Sequence, residues 1–380
     1  MSTKGYIYRF ITTITVFVMV IIQGCSNKSP IKVGFIAELT GKQSELGINL
    51  RNGVQLATEE INAAGGINGH PIELIIKDDL GTPQGARDAE NWVIDQNVVA
   101  IIGHLTSNQT VEGFKVAQNR GVLLLSGTAS TTVLSGKKDL FFRTEPSNEY
   151  FAIQFAQYIY NSKKIRNISI IYDLDNDTYS VPMVKAFSDA FTSLGGEISA
   201  NVSFSGSKTS DFTESIKLLD DSNPDGIFII ASPLNTATIA QLIRLQGNST
   251  DLFAAPWAQG QDLITNGGKA VEGLELINAY NTNDSNPKIQ ALKKSYKARF
   301  AEDPAFTAMM GYELMHVLAK ALEKTDGKAT GLSDAFLNIK EFEGLQGTIK
   351  MDEFGDSSRA LFIMKVENHI FTQVEKIDPQ

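Results

Sequence analysis

Between Val98 and Ser130 the chain reads strand, loop, helix, strand, loop. The apolar run 98–102 is strand-length. It leads through Gly103, His104, Leu105, Thr106, Ser107, Asn108 and Gln109 into a helical pattern that ends near Arg120. A second apolar run, 122–125, ends in Ser126, Gly127, Thr128, Ala129 and Ser130. Two short apolar runs separated by a helix predict a βαβ unit with parallel strands. In an open parallel sheet, ligands sit in the crevice beyond the carboxyl ends of the strands. Both loops here end such strands, and both are rich in hydroxyls and small residues. Ser107 also stands where a helix should begin, so free N–H groups and the positive end of the helix dipole would favour an anion such as a carboxylate. The plainer alternative is that Thr106 or Ser107 is only an N-cap and that 126–130 is only a turn.

The same alternation runs through the rest of the chain. Residues 31–37 predict a strand, 49–64 a helix stopped by Gly65 and Gly66, 72–77 a strand ending in Asp78 and Asp79, and 87–95 a helix. Near Phe141 to Asn148 a new series starts. It predicts a helix at 151–160, a strand at 167–172, a polar loop at 173–180 holding Tyr179, a helix at 184–194 and a strand at 198–204. Helix 212–219, strand 226–230, helix 236–246 and strand 252–255 follow. The last part holds long helices at 287–300 and 306–324 and a hairpin-like pair, 347–352 with 361–366. Two α/β units of similar pattern follow from this, each a doubly wound parallel layer.

Several function classes are disfavoured. The net charge is −9, with no basic block, which gives no support for nucleic-acid binding. One cysteine, Cys25, leaves no intrachain disulfide and no cysteine-based zinc site, and the four histidines form no ligand-spaced cluster. The glycine-rich piece 65–69 follows a helix instead of opening one, so it is no phosphate loop. No nucleophile elbow, zinc-protease helix or Walker loop is present. Ser107 with His104 three residues before it is the one nucleophile–base pair to weigh, and the sequence places no orienting acid beside it. No cofactor and no catalytic residue are therefore assigned. At the amino end, Lys4 and Arg9 precede the mostly apolar 10–22, which is too short for a comfortable transmembrane helix and suits a signal peptide. It ends Ile22, Gln23, Gly24, Cys25. That ending resembles a bacterial lipobox and implies cleavage after residue 24, a lipid on Cys25, a tether over 25–30 and an extracytoplasmic, membrane-anchored protein.

Other residues carry a second resemblance. The stretch Asn52-Gly53-Val54-Gln55-Leu56-Ala57 through Glu59-Glu60-Ile61-Asn62-Ala63-Ala64-Gly65-Gly66-Ile67-Asn68-Gly69 resembles the type I periplasmic binding-protein family, in its leucine/isoleucine/valine-binding branch. The loops at 102–107 and 126–130, Phe142-Arg143-Thr144 and Gly311-Tyr312-Glu313 continue the match. The resemblance implies two α/β lobes joined by a three-crossover hinge. Lobe I would span 31–144 and 277–346, and lobe II 145–276 and 347–380. It implies capture of a small carboxylate, an amino acid with an apolar side chain or a related acid, for the permease subunits of an ABC importer. A sensor of the same fold acting through a separate regulator or kinase is the alternative.

Carried over by position, Ser107 and Ser130 would hold the ligand carboxylate by hydroxyl and N–H. Thr128 would accept from an ammonium through its carbonyl, and Leu105 and Thr106 would line the pocket. Tyr179 would close over the ligand from the second lobe, with Ser232 where that branch has a further aromatic contact. Trp257 is a departure, because amino-acid binders place an acid there; Leu46 likewise replaces an aromatic residue. Either Asp175, Asp177 or Asp262 supplies the missing charge, or the ligand has no ammonium and Trp257 offers it a flat apolar face.

Overall fold

A computed structural model describes residues 28–209 and 211–379; the expected leader and Cys25 lie outside the described residues. The chain begins with β1 (Ile31–Ala37), α1 (Ser44–Ala63), β2 (Ile72–Asp78), α2 (Pro83–Ile94), β3 (Ala100–Gly103), α3 (Ser107–Arg120), β4 (Leu123–Ser126) and β5 (Phe141–Arg143). These five strands form one parallel sheet in the order β2-β1-β3-β4-β5. The order reverses between β1 and β3, so a crevice opens beyond their carboxyl ends, where the loop before Ser107 lies.

A second series follows: α4 (Asn148–Asn161), β6 (Asn167–Asp173), α5 (Asp177–Ser193), β7 (Glu197–Phe204), α6 (Thr213–Asp221), β8 (Gly226–Ile230), α7 (Pro233–Leu245), β9 (Asp251–Ala254), α8 (Gln261–Gly267) and β10 (Glu275–Asn278). The chain then supplies α9 (Pro287–Phe300), α10 (Phe306–Thr325), α11 (Leu332–Ile339), β11 (Glu341–Gly344), β12 (Gly347–Met351), β13 (Ser357–Ser358), β14 (Leu361–Glu367) and β15 (Ile370–Ile377). The second sheet has the order β15-β14-β10-β9-β8-β6-β7 and is parallel except for β14 and β15. Its order reverses between β6 and β8, which aims the Tyr179 segment at the first lobe's crevice.

The chain passes between the two layers three times: after β5, after β10 and after β13. The return through α9 to α11 completes the first layer, because α10 lies directly on α1. Glycines let these backbones touch. A Cβ on Gly53 would stand 2.0 Å from the Ala308 carbonyl oxygen, and one on Gly311 would stand 2.1 Å from that of Leu50. At the end of α1, Gly66 takes φ +70°, and its N–H bonds back to the Ile61 carbonyl at 2.9 Å, closing the helix as a left-handed cap.

Three expectations are corrected. The hairpin-like pair 347–352 and 361–366 does not pair with itself: β12 lies between β11 and β13, while β14 joins β10 and β15. The lobe boundary expected at 346/347 falls in the tight turn of the β11–β12 hairpin. The whole small sheet stays with the first layer, where Gly355 accepts from the Arg143 N–H at 3.0 Å and Asp356 pairs with Arg143 at 2.7 Å. Tyr179 is in the first turn of α5 and not in a loop. The Thr178 N–H there donates to Asn108 Oδ1 of the other lobe at 3.0 Å, so a residue remote in sequence helps cap this helix.

Candidate ligand-binding site

The Thr106 hydroxyl accepts from the Gln109 N–H and caps α3. Ser107, the first helical residue, is thereby left free of the capping role. It is 1% exposed, and its Oγ has no hydrogen-bond partner among the described residues. The second loop is folded by Ser126, whose Oγ accepts from the Ala129 N–H at 3.1 Å. Thr128 Oγ1 donates to the His104 carbonyl at 2.8 Å, tying the two loops together. The Ser130 carbonyl accepts from the Asn148 N–H at 2.6 Å, and the Asn148 amide donates to the Tyr179 carbonyl at 2.8 Å. The first lobe's binding loop is thus wired through the first crossover to the second lobe.

His104 is not poised beside Ser107. Its ring is buried between Asp79, 2.7 Å from Nδ1, and Glu90, 3.0 Å from Nε2. Burial alone would lower the imidazole pKa, but the hydrogen bonds and charges of Asp79 and Glu90 overturn this and raise it to about 9. Both ring nitrogens are committed to a structural ion network.

From the second lobe, Tyr179 meets Trp257 edge-on, with ring centroids 5.7 Å apart. Trp257 Nε1 donates across the cleft to Gln43 Oε1 at 2.8 Å. A second clasp centres on Asn108. Its amide donates to the Asp175 carbonyl at 3.1 Å, and its N–H donates to Asn176 Oδ1 at 3.2 Å. Lys42 Nζ reaches the Gly206 carbonyl at 3.0 Å. The lobes are drawn together.

Between them lies a cavity of ≈ 50 Å³, measured to the centre of a water-sized sphere. That is room for several waters or one small molecule. Leu105, Thr106, Ser107, Thr128, Ser130, Tyr179 and Trp257 all line it, as does Leu46. Ser232 does not. It caps α7, its Oγ accepting from the Asn235 N–H at 3.4 Å, so its position at the reversal point of the second sheet serves a helix and not the cavity. None of the three acids considered as a counter-charge lines the cavity either. Asp175 accepts from Ser205 Oγ at 2.5 Å, Asp177 lies in the first turn of α5, and Asp262 in the first turn of α8.

The acid that does line it is Glu145, in the first crossover. It is 3% exposed, and its Oε2 has no hydrogen-bond partner among the described residues. Burial pushes its carboxyl up to about 8, with Arg359 and Arg143 pulling the other way. Thr307 Oγ1, another buried atom without a partner among the described residues, joins it from α10. Glu145, Asn176, Pro256, Phe306, Thr307 and Met310 are wall residues that sequence reasoning missed. For Glu145 there was a signal: an acid wedged between an apolar strand and a proline at a unit boundary. Phe306 and Met310 read only as core positions of a helix.

A family model described as "Periplasmic binding protein" matches residues 30–369. A Leu/Ile/Val-binding protein homologue of Brucella melitensis is 25% identical over 337 residues, covering 87% of this chain and 90% of its own. A leucine-binding protein structure from Thermotoga maritima superposes with a TM-score of 0.85 at 27% identity, covering 92% of this chain and 99% of that one. A solute-binding protein of an ABC transporter from Rhodopseudomonas palustris, solved with benzoate, shares the fold with a TM-score of 0.83 at 16% identity, covering 92% and 97%. The match extends over both layers and all three crossovers, and on it the chain belongs to the periplasmic binding protein family, with the type I fold, in the leucine/isoleucine/valine-binding branch.

Proposed function

We propose that this protein is the ligand-capturing component of an ABC importer, closing its two lobes on a small carboxylate with an apolar body. The observation that carries the reading is Ser107 Oγ, a buried hydroxyl without a partner among the described residues, at the amino end of α3, in a cavity whose apolar walls include Leu105, Met310 and Trp257. A buried polar group left unpaired costs about 1–3 kcal/mol. A ligand carboxylate would satisfy that hydroxyl and lie at the positive amino end of the helix dipole. Among the relatives, one is named for leucine, isoleucine and valine and one was solved with benzoate; a carboxylate is what those ligands share. Ser107 and Ser130 are assigned to it, with Leu105, Thr106, Thr128, Tyr179 and Trp257 as further contacts. Binding without turnover fits His104, whose nitrogens are held by Asp79 and Glu90.

Isothermal titration with Ser107→Ala and Ser130→Ala tests the site. Each should weaken binding by about 1–3 kcal/mol, the loss of a hydrogen bond to a charged group. Wild-type affinity in both would sink the assignment. The lobes are placed at 31–144 with 279–358, and at 145–278 with 361–377. Delivery to a membrane-bound permease further supports anchoring through a lipid on Cys25, the sole cysteine. Cys25→Ser should move the protein from the membrane fraction to the soluble fraction of fractionated cells.

A further inference from the structure

The segment that leads into β1 is pinned to the body of the first lobe. Lys28 Nζ donates to the Asn68 carbonyl at 2.9 Å. The Ser29 carbonyl accepts from His70 Nδ1 at 2.8 Å, and the Ile31 N–H donates to the Pro71 carbonyl at 2.8 Å. All three partners belong to the turn between α1 and β2. The same turn is stitched to the carboxyl end of α10, where Asn68 Nδ2 donates to the Glu323 carbonyl at 3.0 Å. Just beyond, Gly327 lies on Ile31 so closely that a Cβ there would stand 2.4 Å from Ile31 Cδ1. These contacts build one pole of the first lobe. It is the end where the parallel strands β1 and β2 begin, and so the end opposite the crevice, which opens where they finish.

We propose that this pole rests on a lipid bilayer, so that the α1–β2 turn and the carboxyl end of α10 form a membrane-contact face. The proposal rests on the lipid anchor at Cys25 put forward above. From Cys25 to Lys28 the chain advances three residues, at most ~11 Å when fully extended. A lipid on Cys25 is therefore held within that reach of the docked Lys28, and the neighbouring exposed residues Asn68, Gly69, Lys324, Asp326 and Lys328 come down with it. Charge does not drive the contact, because Lys28, Lys324 and Lys328 stand among Glu323 and Asp326. The short reach does. β1 has seven residues, so at ~3.3 Å each the cleft lies ~23 Å farther from the bilayer. The docked segment is thus a spacer that sets the height of the cleft above the membrane.

The test uses the full-length protein with its lipid, in phosphatidylcholine vesicles that carry a rhodamine-headgroup lipid. With Cys25 lipid-modified, an introduced cysteine is the sole free thiol. A donor dye is placed on Lys328→Cys at the pole or on Leu245→Cys. Leu245 is 81% exposed at the end of α7, shortly before β9 begins, which puts it at the far end of the second lobe. Energy transfer to the vesicle lipid should be ~2-fold or more greater from position 328 than from position 245. A Gly/Ser spacer of roughly fifteen residues between Asn27 and Lys28, with a reach of about 20 Å, should remove most of that difference. Equal transfer from the two positions in vesicle-bound protein, or a difference that survives the spacer unchanged, overturns the inference and leaves the lipid anchor standing. Protein that carries no lipid and does not sediment with the vesicles overturns the anchor and the inference with it.

Discussion

His104 shows how much of this site is built from residues that never face the ligand. Its backbone carbonyl holds Thr128, and its buried ring bridges Asp79 and Glu90 beneath the binding loop. The ring's pKa is raised to about 9 from an ordinary value near 6.5, so the folded state holds this proton more tightly than the unfolded chain. Its contribution to stability is complete below about pH 6.5 and is lost as pH rises towards 9, on the order of 3 kcal/mol in all. Burial raises Glu90 as well, which acts with the same sign. Urea unfolding at pH 6.5 and pH 9 should show this loss, and His104→Gln should flatten it. The hydroxyl-rich loops were legible from their place after parallel strands, but the residue types alone do not separate a cavity wall from a cap: Thr106 caps α3 and Ser126 folds its own loop. Ser232 had the same signature and turned out to be a helix cap, since Pro233 after it starts α7. Glu145 was missed because its local setting, an acid before a proline, does not show that it is buried against the cavity. Its burial depends on elements remote in sequence, among them the α10 residues Phe306, Thr307 and Met310 that line the same cavity.

At the level of elements, periodicity revealed most strands and helices, and it failed where partners are remote. The amino end of α1, from Ser44, carries no side-chain cap, so the pattern suggested a start near Asn49. The α5 start depends on Asn108 from the opposite lobe. β14 finds its partners in β10, about eighty residues earlier, and in β15, and no local pattern specifies that choice. The α1–α10 seam rests on Gly53 and Gly311, which sit in helices where glycine is unfavourable and are kept free of a Cβ by the close backbone approach. Gly311→Ala should force the helices apart and destabilise the protein by about 1–3 kcal/mol or more, with a fall in the thermal midpoint. An unchanged midpoint would mean the seam tolerates separation.

For the whole molecule, the balance between open and closed lobes sets affinity, because only the drawn-together form completes the cavity. Asn108 carries much of that clasp, meeting Asp175, Asn176 and Thr178. Asn108 is not itself a cavity-wall residue, yet Asn108→Ala should raise the dissociation constant on the order of tenfold and enlarge the radius of gyration of the unliganded protein in solution scattering. If only the affinity changes, Asn108 acts locally and not on closure. Trp257 bears on the same motion. The chain has two tryptophans, and the other, Trp92, is a half-exposed residue on α2 with Lys77 over its ring. The indole of Trp257 bonds to Gln43 and lies against Tyr179, so lobe separation would break the first contact and admit solvent to the ring. The protein therefore carries its own optical gauge. In a Trp92→Phe background, emission from a single native chromophore should shift to the red as the cleft opens and return to the blue as it fills, giving the rate of closure without an attached dye.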